Sequence, residues 1–370
     1  MNRPVRIGIV GCGNVMRGAY MPLIERLSRQ GLAEAVAACD VLPERQALVR
    51  ERFGIERFST DYRKVVQAQD VDLVLVLTSM VEHGPIARAA LEAGKHVLVE
   101  KPMAVTLEEA AGLVELARRG PGLLLPAPHV ILSPTFQAIW RRVQAGEIGT
   151  VLSARARYGH SGPGWGPWFY RKGGGCLFDL GVYNLTSLTG LLGPARRVTA
   201  LTGVAIPERV VDGERMRVEA EDNAHVLLDF GHSVFAVVTT GFTLQRYRCP
   251  AIELYGTAGT LQMLGDDWDP DGYELWQRDV GAWQIVPESA PEWPWTDGLR
   301  HLVECIRRDQ RPLITPEHGF HVLEVMLKAQ EAGRDGRARE ITSTFPPLAI
   351  ERGGTSPSQK PVHDPTRTEQ

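Results

Sequence analysis

Short apolar runs alternate with helix-like stretches along the first third of the chain. Residues of the runs are almost all Val, Leu, Ile or Ala, which is typical of parallel strands buried on both faces of a sheet. The runs are Val5–Val10, Ala33–Cys39, Val71–Leu77, His96–Val99 and Leu123–Leu125. Because a helical stretch separates each run from the next, the pattern predicts an α/β domain with a doubly wound parallel sheet over residues 1–126.

The second half of the chain has a different pattern, in which short strands alternate between apolar and polar residues. Tight turns such as Gly231-His232 connect several of them. The predicted strands are Val151–Tyr158, Val198–Gly203, Asn223–Phe230, Val234–Thr240, Ile252–Tyr255, Thr260–Met263 and Tyr273–Gln277. We expect an α+β domain over residues 127–346 with a large open, mainly antiparallel sheet, helices on one face and the other face free for association. Residues 347–370 are Gly/Ser/Pro-rich and charged, which predicts a poorly ordered tail.

Composition narrows the class of protein. The 370 residues are 44% hydrophobic and 23% charged with a formal net charge of -3, so we expect a two-domain globular protein and no binding to nucleic acid or acidic membranes. No stretch approaches the ~20 apolar residues of a membrane span. Five scattered cysteines without a CxxC pair favour free thiols and no metal site. Met1 leads so soon into the first strand that no signal peptide is expected, which indicates a cytoplasmic protein.

A glycine-rich turn follows the first strand. It reads Gly11-Cys12-Gly13-Asn14-Val15-Met16, a G-x-G-x-x-M sequence. The two glycines allow a tight turn and a close approach of the backbone to a pyrophosphate at a helix N-terminus. Any tight turn can use G-x-G, but its place between a strand and a helix favours dinucleotide binding. Met16 replaces the usual small third residue, so we expect the packing of helix on strand to differ there.

Asp40 stands at the end of the second strand. A carboxylate at this place can accept both hydroxyls of an adenosine ribose and would repel a 2′-phosphate, which favours NAD. An alternative role is to cap the helix that follows. Because Arg45 lies close in sequence, NADP use stays open.

The strand His96–Val99 ends abruptly on Glu100-Lys101-Pro102. Ligands in open α/β sheets bind outside the carboxyl ends of the strands, so both charged side chains are placed to meet a cofactor and a substrate. Pro102 restricts the backbone of Lys101, which holds the lysine at a rigid corner. We interpret Lys101 as the catalytic residue and Glu100 as its support. The alternative is a structural corner in which the two side chains pair.

Glycines, prolines and four aromatic residues fill the loop from Ser161 to Gly175. Aromatic faces and an arginine, here Trp168 and Arg171, suit a sugar-like ligand, although such a loop can also cap the core. The chain then becomes helical, and Asp179 and Tyr183 share one helix face at a spacing of four. Such a pair is often structural, but the preceding glycines would allow a ligand to come close.

Taken together, these motifs resemble the Gfo/Idh/MocA family of oxidoreductases. The matching strings are Ile7-Gly8-Ile9-Val10-Gly11-Cys12-Gly13-Asn14, Thr78 with His83, Ala93-Gly94-Lys95-His96-Val97-Leu98-Val99-Glu100-Lys101-Pro102, Ser133-Pro134, Gly146-Glu147-Ile148-Gly149, Gly173-Gly174-Gly175-Cys176-Leu177-Phe178-Asp179 and Leu254-Tyr255-Gly256-Thr257-Ala258-Gly259-Thr260. The resemblance implies a Rossmann domain that binds NAD or NADP. It also implies a second domain whose open sheet packs subunits into homodimers or homotetramers.

The resemblance assigns the family's lysine to Lys101 and its aspartate to Asp179, while the usual histidine falls on Tyr183. Tyrosine at this place is similar to glucose–fructose oxidoreductase and dimeric dihydrodiol dehydrogenase. Two further departures are Thr78-Ser79-Met80, where many members read T-P-N, and the lack of the arginine that many members have after the crossover at Pro126–Ile131.

The predicted activity is hydride transfer between a nicotinamide and a carbinol or carbonyl carbon of a sugar, cyclitol or similar polyol. Lys101 and Tyr183 would handle the proton, with the pKa of the phenol lowered by the ammonium group, and Asp179 would orient the substrate. The candidate cofactor-binding residues are Gly11, Gly13, Asn14, Val15, Asp40, Thr78, Ser79, His83, Glu100, Lys101 and His129. The candidate substrate-binding residues are Lys101, His129, Trp168, Arg171, Asp179 and Tyr183.

Two other functions stay open for a chain with this resemblance. Some relatives use NAD in a redox-cycling glycoside hydrolysis without net reduction of the cofactor. Others are non-catalytic dinucleotide-binding regulators, a function that the retained Lys101, Asp179 and Tyr183 disfavour.

Overall fold

The N-terminal half of the fold is built on six parallel strands. The computed structural model describes residues 3–350. The strands are β1 (Val5–Val10), β2 (Ala33–Cys39), β3 (Phe58–Ser59), β4 (Leu73–Val76), β5 (His96–Val99) and β6 (Leu124–Pro126). Their spatial order is β3-β2-β1-β4-β5-β6, so the direction of winding reverses between β1 and β4. Ligands of doubly wound folds bind at this reversal, outside the carboxyl ends of the strands.

Five helices connect these strands. They are α1 (Met21–Arg29), α2 (Arg45–Phe53), α3 (Arg63–Val66), α4 (His83–Glu92) and α5 (Leu107–Arg119). A wide π-helical turn, Met16–Tyr20, precedes α1, and the side chain of Met16 is fully buried in it. The expected change of packing at Met16 therefore takes the form of a π turn at the start of the helix.

A nine-stranded mixed sheet forms the second half. The strands of this sheet are β7 (Val151–Gly159), β8 (Arg197–Gly203), β11 (Asn223–Asp229), β12 (Phe235–Gly241), β13 (Ile252–Gly256), β14 (Gly259–Asp266), β15 (Asp269–Gln277), β16 (Trp283–Pro287) and β17 (Arg339–Glu340). A separate hairpin consists of β9 (Glu208–Val211) and β10 (Glu214–Arg217). The sheet has the order β16-β15-β14-β13-β7-β12-β11-β8-β17, and β9 and β10 pair separately. β7 and β12 run parallel while the other ladders are antiparallel, which confirms the predicted fold class.

Helices α6 (Pro134–Gln144), α7 (Val182–Leu192) and α9 (Pro316–Asp335) cover one face of this sheet. Helix α8 (Gly298–Arg308) packs instead on the first domain, against α1, β1 and β5. A π-helical turn, Leu177–Gly181, leads into α7, and α7 is buried along nearly its whole length. The region around α8 and α9 also reaches the first domain: Trp295 packs edge-on against Tyr20 with ring centroids 6.1 Å apart, and Glu317 forms an ion pair with Arg118. The two halves are thus joined behind the cleft.

The structure departs from the sequence prediction in two places. Strands β9, β10, β16 and β17 were not predicted, although the Asp212-Gly213 turn between β9 and β10 is a hairpin signal. The predicted loose tail is wrong at its start, because Leu348 and Ile350 are buried. The rest of that tail, residues 351–370, lies outside the described residues. Within residues 3–350, none of the helices has the length and apolar character that crossing a bilayer requires.

Candidate active site

An ion pair spans the cleft between the two sheets. The Nζ atom of Lys101, at the corner after β5, donates to Oδ1 of Asp179 at 2.5 Å and to the backbone oxygen of Asp179 at 2.8 Å. Both side chains are largely buried, with exposed fractions of 13% and 11%. A charged hydrogen bond in such surroundings is stronger than one in water. The structure therefore brings together the two charged residues that the sequence singled out in separate halves of the chain.

Tyr183 contacts Lys101 through its ring. The ammonium nitrogen lies 5.2 Å from the ring centroid, which is a cation–π contact. Burial raises the pKa of the Tyr183 phenol well above its usual value, and the carboxylates of Glu100 and Asp179 raise it further. The expectation that the ammonium group lowers this pKa is therefore wrong, because desolvation of the phenolate outweighs the attraction of one cation. Tyr183 stays a neutral phenol at working pH.

Glu100 fixes the backbone turn after β5 that carries Lys101. Its Oε1 accepts from the hydroxyl of Tyr20 at 2.7 Å, and its Oε2 accepts from the backbone N–H of Lys101 at 3.1 Å. Tyr20 belongs to the π turn that follows the glycine-rich turn. Glu100 thus links the corner that carries Lys101 to the segment expected to bind the cofactor.

His83 braces the same corner. Its Nδ1 faces the carbonyl of Pro102 at 2.7 Å, and its Nε2 faces the carbonyl of Thr78 at 3.1 Å. Burial lowers the pKa of the imidazole, so the ring is neutral and donates to one of these carbonyls. His83 joins the ends of β4 and β5, and through Thr78 it fixes the segment that continues into Ser79.

His129 lies at the crossover between the domains, deeper than the sequence suggested. Its Nδ1 faces the carbonyl of Trp295 at 3.2 Å, and its ring packs so closely on Gly298 that a Cβ there would lie 2.3 Å from it. Burial lowers the pKa of this imidazole. Its Nε2 has no hydrogen-bond partner among residues 3–350. His129 lies within electrostatic reach of Glu100 and makes no hydrogen bond with Lys101 or Asp179 in the described part of the chain.

The glycine-rich turn fits a dinucleotide. Gly11 has a φ of +99°, and a Cβ on it would lie 2.5 Å from the carbonyl oxygen of Leu77, so only glycine is accommodated there. A Cβ on Gly13 would meet no protein atom within 4 Å, which leaves the backbone open to a ligand. Asn14 and Val15 follow at the start of the helical segment, where backbone N–H groups favour a pyrophosphate.

Asp40 reaches this turn from the end of β2. Its Oδ2 accepts from the N–H of Cys12 at 2.8 Å and its Oδ1 from the N–H of Leu42 at 3.0 Å. It does not cap α2, since that helix begins after Glu44. In the same region the Nε atom of Arg45 is buried and has no partner within residues 3–350. The fixed carboxylate suits the ribose of NAD, whereas an arginine beside it is the kind of residue that accommodates the 2′-phosphate of NADP.

Sequence reasoning missed several polar residues of the cleft. Tyr158 and His160 lie at the end of β7, and the Tyr158 ring is 5.7 Å from that of Tyr183. The Nδ1 atom of His160 accepts from the N–H of Gly162 at 2.9 Å, so its other nitrogen carries the proton. Burial lowers the pKa of His160, whose ring lies within electrostatic reach of Asp179 and Lys101. The sequence feature that could have identified His160 is its position between the end of a predicted strand and the glycine-rich loop.

Two predicted substrate residues lie further out. Trp168 belongs to a short 3₁₀ turn, Pro167–Tyr170, and Arg171 follows it. Both side chains are exposed, and neither contacts Lys101, Asp179 or Tyr183 among the described residues.

The inner cleft therefore contains four polar groups: the ammonium group of Lys101, the carboxylate of Asp179, the neutral phenol of Tyr183 and the neutral imidazole of His160. Such a set can bind hydroxyl groups and move a proton to or from one of them.

Comparison with known proteins finds family matches in both halves of the chain. The model of an oxidoreductase family with an NAD-binding Rossmann fold matches residues 5–125, and that of the GFO/IDH/MocA C-terminal domain matches residues 136–262. A D-apiose dehydrogenase of Paraburkholderia graminis is 27% identical over 327 residues, which cover 84% of each chain. A trans-1,2-dihydrobenzene-1,2-diol dehydrogenase of Bos taurus is 24% identical over 344 residues, covering 88% of this chain and 96% of that protein.

A solved structure shows the same fold. Levoglucosan dehydrogenase in complex with NADH and levoglucosan superimposes with a TM-score of 0.81 at 20% sequence identity. The match covers 92% of this chain and 100% of that one.

Proposed function

The chain belongs to the Gfo/Idh/MocA oxidoreductases and carries their NAD-binding Rossmann domain, and on this basis we propose that its substrate is a sugar, a cyclitol or a similar polyol. The reaction is the interconversion of a carbinol and a carbonyl group on that substrate. The names of the relatives support this substrate class, since they are dehydrogenases of apiose, levoglucosan and a cyclic diol.

One observation carries the proposal. Lys101 and Asp179 form a buried ion pair across the cleft, at the carboxyl end of the Rossmann sheet. A buried pair of this kind is weak evidence for stability, because desolvation offsets most of its attraction. Its place beside the cofactor turn and the neutral phenol of Tyr183 favours a catalytic role.

When bound, the nicotinamide cofactor would supply the hydride chemistry, with NAD⁺ as the acceptor in oxidation and NADH as the donor in reduction. Lys101 binds the reacting oxygen: in oxidation its neutral amine takes the hydroxyl proton and becomes an ammonium group, and in reduction the ammonium group returns that proton. Asp179 stabilises the ammonium form of Lys101 and accepts from a neighbouring substrate hydroxyl. Tyr183, held neutral by burial, donates a hydrogen bond to the reacting oxygen and does not serve as a phenolate base.

The cofactor end of the cleft is assigned to residues of the first domain. Gly11 and Gly13 leave room for the pyrophosphate, and Asp40 accepts from the adenosine ribose. Asn14 and Val15 follow the glycine turn and are assigned to the pyrophosphate. Thr78 and Ser79 follow β4, on the opposite side of β1 from Asp40, and are assigned to the nicotinamide side. The carboxylate of Asp40 disfavours a 2′-phosphate, so NAD is the preferred cofactor.

We further propose that the protein is a homo-oligomer through the open face of its second sheet. Leu201, Leu227, Phe235 and Val237 lie on this face, and Leu201 is 74% exposed. A contiguous exposed apolar surface of this kind is typical of an interface between subunits.

The test is a screen of sugars, cyclitols and cyclic diols with NAD and with NADP, followed by the absorbance of the reduced cofactor. We expect turnover with at least one polyol and a higher kcat/KM with NAD than with NADP. Absence of turnover over the whole panel contradicts the proposed activity. A clear preference for NADP contradicts the role of Asp40.

A further inference from the structure

Two exposed tryptophans stand on the loop between β7 and the turn that carries Asp179. Trp165 is 41% exposed and Trp168 is 42% exposed. Their rings lie 5.7 Å apart, and both pack on Phe169, with ring centroids at 5.2 and 5.5 Å. Phe169 already closes the core beneath them. The two indoles are therefore not needed to cover it. Their planes are inclined by 73°, so together they form an angled aromatic surface that is exposed to solvent.

The loop holds these rings in fixed positions. Gly166 has a φ of +72°, and a Cβ there would lie 2.7 Å from the Trp168 ring. The indole therefore packs directly on the backbone of Gly166. Asp212, in the turn of the β9–β10 hairpin, accepts from the N–H of Gly166 at 3.2 Å and donates its own N–H to Gly164 at 2.9 Å. The hairpin thus clamps the segment that carries both tryptophans.

Arg209 anchors the hairpin and the loop to the sheet. Its guanidinium group donates to the carbonyl of Ser161 at 2.7 Å and to that of Phe242 at 2.7 Å. It also pairs with the fully buried Asp222 at 3.1 Å. Binding surfaces that are ordered before the ligand arrives lose less conformational entropy on binding.

The tryptophans are joined to the catalytic pair by the glycine run. The N–H of Gly175 donates to the carbonyl of Phe169 at 2.9 Å, and the N–H of Asp179 donates to the carbonyl of Gly175 at 3.1 Å. A Cβ on Gly173 would lie 3.3 Å from Val81, which follows the cofactor-side residues at the end of β4. The loop therefore crosses from the second domain to the first at the mouth of the cleft.

We propose that Trp165 and Trp168 form an outer subsite for a second sugar ring, so that the substrate is a disaccharide or a comparable glycoside. This inference rests on the proposed function, because it places the reacting ring beside Lys101. Indole faces stack on the C–H faces of a pyranose, and the exposed Arg171 nearby supplies donors for its hydroxyl groups. The extended apolar surface suited to a second copy of this chain lies elsewhere, on the open sheet face that includes Leu227 and Val237.

The test compares the binding of matched sugars by the full chain with NAD⁺ present. Calorimetry gives the dissociation constants of glucose, galactose and xylose and of a disaccharide of each, for the wild type and for W165A/W168A. The control variant is W283A, since Trp283 is similarly exposed on β16 at the far edge of the sheet. For at least one pair we expect the disaccharide to bind about 10-fold more tightly than the monosaccharide. W165A/W168A should lose this advantage and keep its affinity for the monosaccharide, while W283A keeps both.

Several outcomes overturn the inference: no disaccharide binds more tightly than its monosaccharide, no probe binds at all, or the advantage survives in W165A/W168A. A p-nitrophenyl glycoside separates the two kinds of ring, since an advantage for this probe alone contradicts the sugar subsite. Turnover is measured in parallel. If a monosaccharide is oxidised and no disaccharide is preferred, the outer subsite fails and the proposed function stands. A tryptophan-dependent preference without reduction of NAD supports the outer subsite and contradicts the proposed function.

Discussion

Lys101 has two neighbours in the second domain, the carboxylate of Asp179 and the ring of Tyr183. The sequence identified all three residues but paired Lys101 with Tyr183 as a proton-handling couple. The structure gives Asp179 as the direct polar partner. Motifs within each half of the chain indicate which residues matter, whereas the pairing depends on how the two domains face each other. That relation is not contained in the local pattern of either half.

The neutral phenol of Tyr183 leads to a prediction at the residue scale. Y183F keeps the ring over Lys101 and removes only the hydroxyl group. We expect kcat to fall about 100-fold with a small change in KM, because one hydrogen bond to the reacting oxygen is lost. Steady-state kinetics with the best substrate of the panel measures this. Y255F, at a tyrosine whose hydroxyl donates to Glu253, is the control and should behave as the wild type. An unchanged kcat in Y183F excludes the hydroxyl from the reaction.

Asp267 is a buried carboxyl group beneath the helix that carries Tyr183. Its Oδ2 accepts from Asn184 and Ser187, both at 3.0 Å, and burial raises its pKa to about 7. Because the folded state binds this proton more tightly than the unfolded state, the stabilising contribution is complete below the unfolded pKa of ~3.9 and is lost as the pH rises through 7. The loss amounts to roughly 4 kcal/mol.

D267N mimics the protonated carboxyl and should remove this pH dependence. Urea unfolding between pH 4.5 and 8 measures the free energy of unfolding of both proteins. We expect the wild type to lose stability relative to D267N as the pH rises over this range. Parallel pH profiles contradict the assignment of the raised pKa to Asp267.

At the scale of elements, the two glycines of the turn after β1 have different roles, one in the fold and one in cofactor binding. Gly11 is required by the fold, since a Cβ would strike the Leu77 carbonyl, whereas a Cβ on Gly13 meets open space. We expect G11A to lower the free energy of unfolding by about 2 kcal/mol or more. G13A should keep the melting temperature of the wild type and bind NAD at least ~10-fold more weakly, since its Cβ occupies the place of the pyrophosphate.

Thermal melting and NAD titration separate these two effects. G18A is the control. A Cβ on Gly18 also meets no protein atom within 4 Å, and Gly18 lies in the π turn Met16–Tyr20, beyond the glycine-rich turn that contains Gly11 and Gly13. G18A should leave both quantities unchanged. Normal NAD affinity in G13A would show that the pyrophosphate does not pass over this turn.

Strong apolar patterns located the elements of the parallel sheet, and β1 and β2 have the predicted bounds. The elements that escaped prediction are short or polar. The hairpin of β9 and β10 is rich in Glu and Arg, and β17 is two residues long. Such strands are stabilised by contacts distant in sequence, like that of Arg209 with Asp222. Their apolar periodicity is too weak to reveal them.

At the scale of the whole molecule, the two domains are held together because segments late in the chain pack against the first domain. Trp295 packs on Tyr20, and Glu317 pairs with Arg118. The sequence predicted two domains and their order, but not that the region of α8 and α9 touches both. The cleft that holds Lys101 and Asp179 is thereby closed on its inner side, which leaves the mouth near the Ser161–Gly175 loop for the substrate.

The open sheet face supports a prediction about assembly. Leu227 and Val237 are directly opposite each other on β11 and β12 and are both exposed. We expect light scattering after gel filtration to give a dimer or larger for the wild type and a 40.8 kDa monomer for L227D/V237D, since two buried carboxylates would disrupt the interface. V280D, at an exposed turn residue between β15 and β16, should assemble as the wild type. A monomeric wild type, or a double variant that still assembles, contradicts this interface.

Replacement of Lys101 is the sharpest test of the proposed catalytic pair. K101M removes the ammonium group that pairs with Asp179 and handles the proton, and K64M, at an exposed lysine of α3, is the matched control. Turnover of the best polyol and the affinity for NAD are measured side by side in the wild type and both variants. We predict that K101M loses ~10²–10⁴-fold in turnover while NAD affinity is retained, and that K64M matches the wild type. Near-normal turnover in K101M would contradict the catalytic role of Lys101.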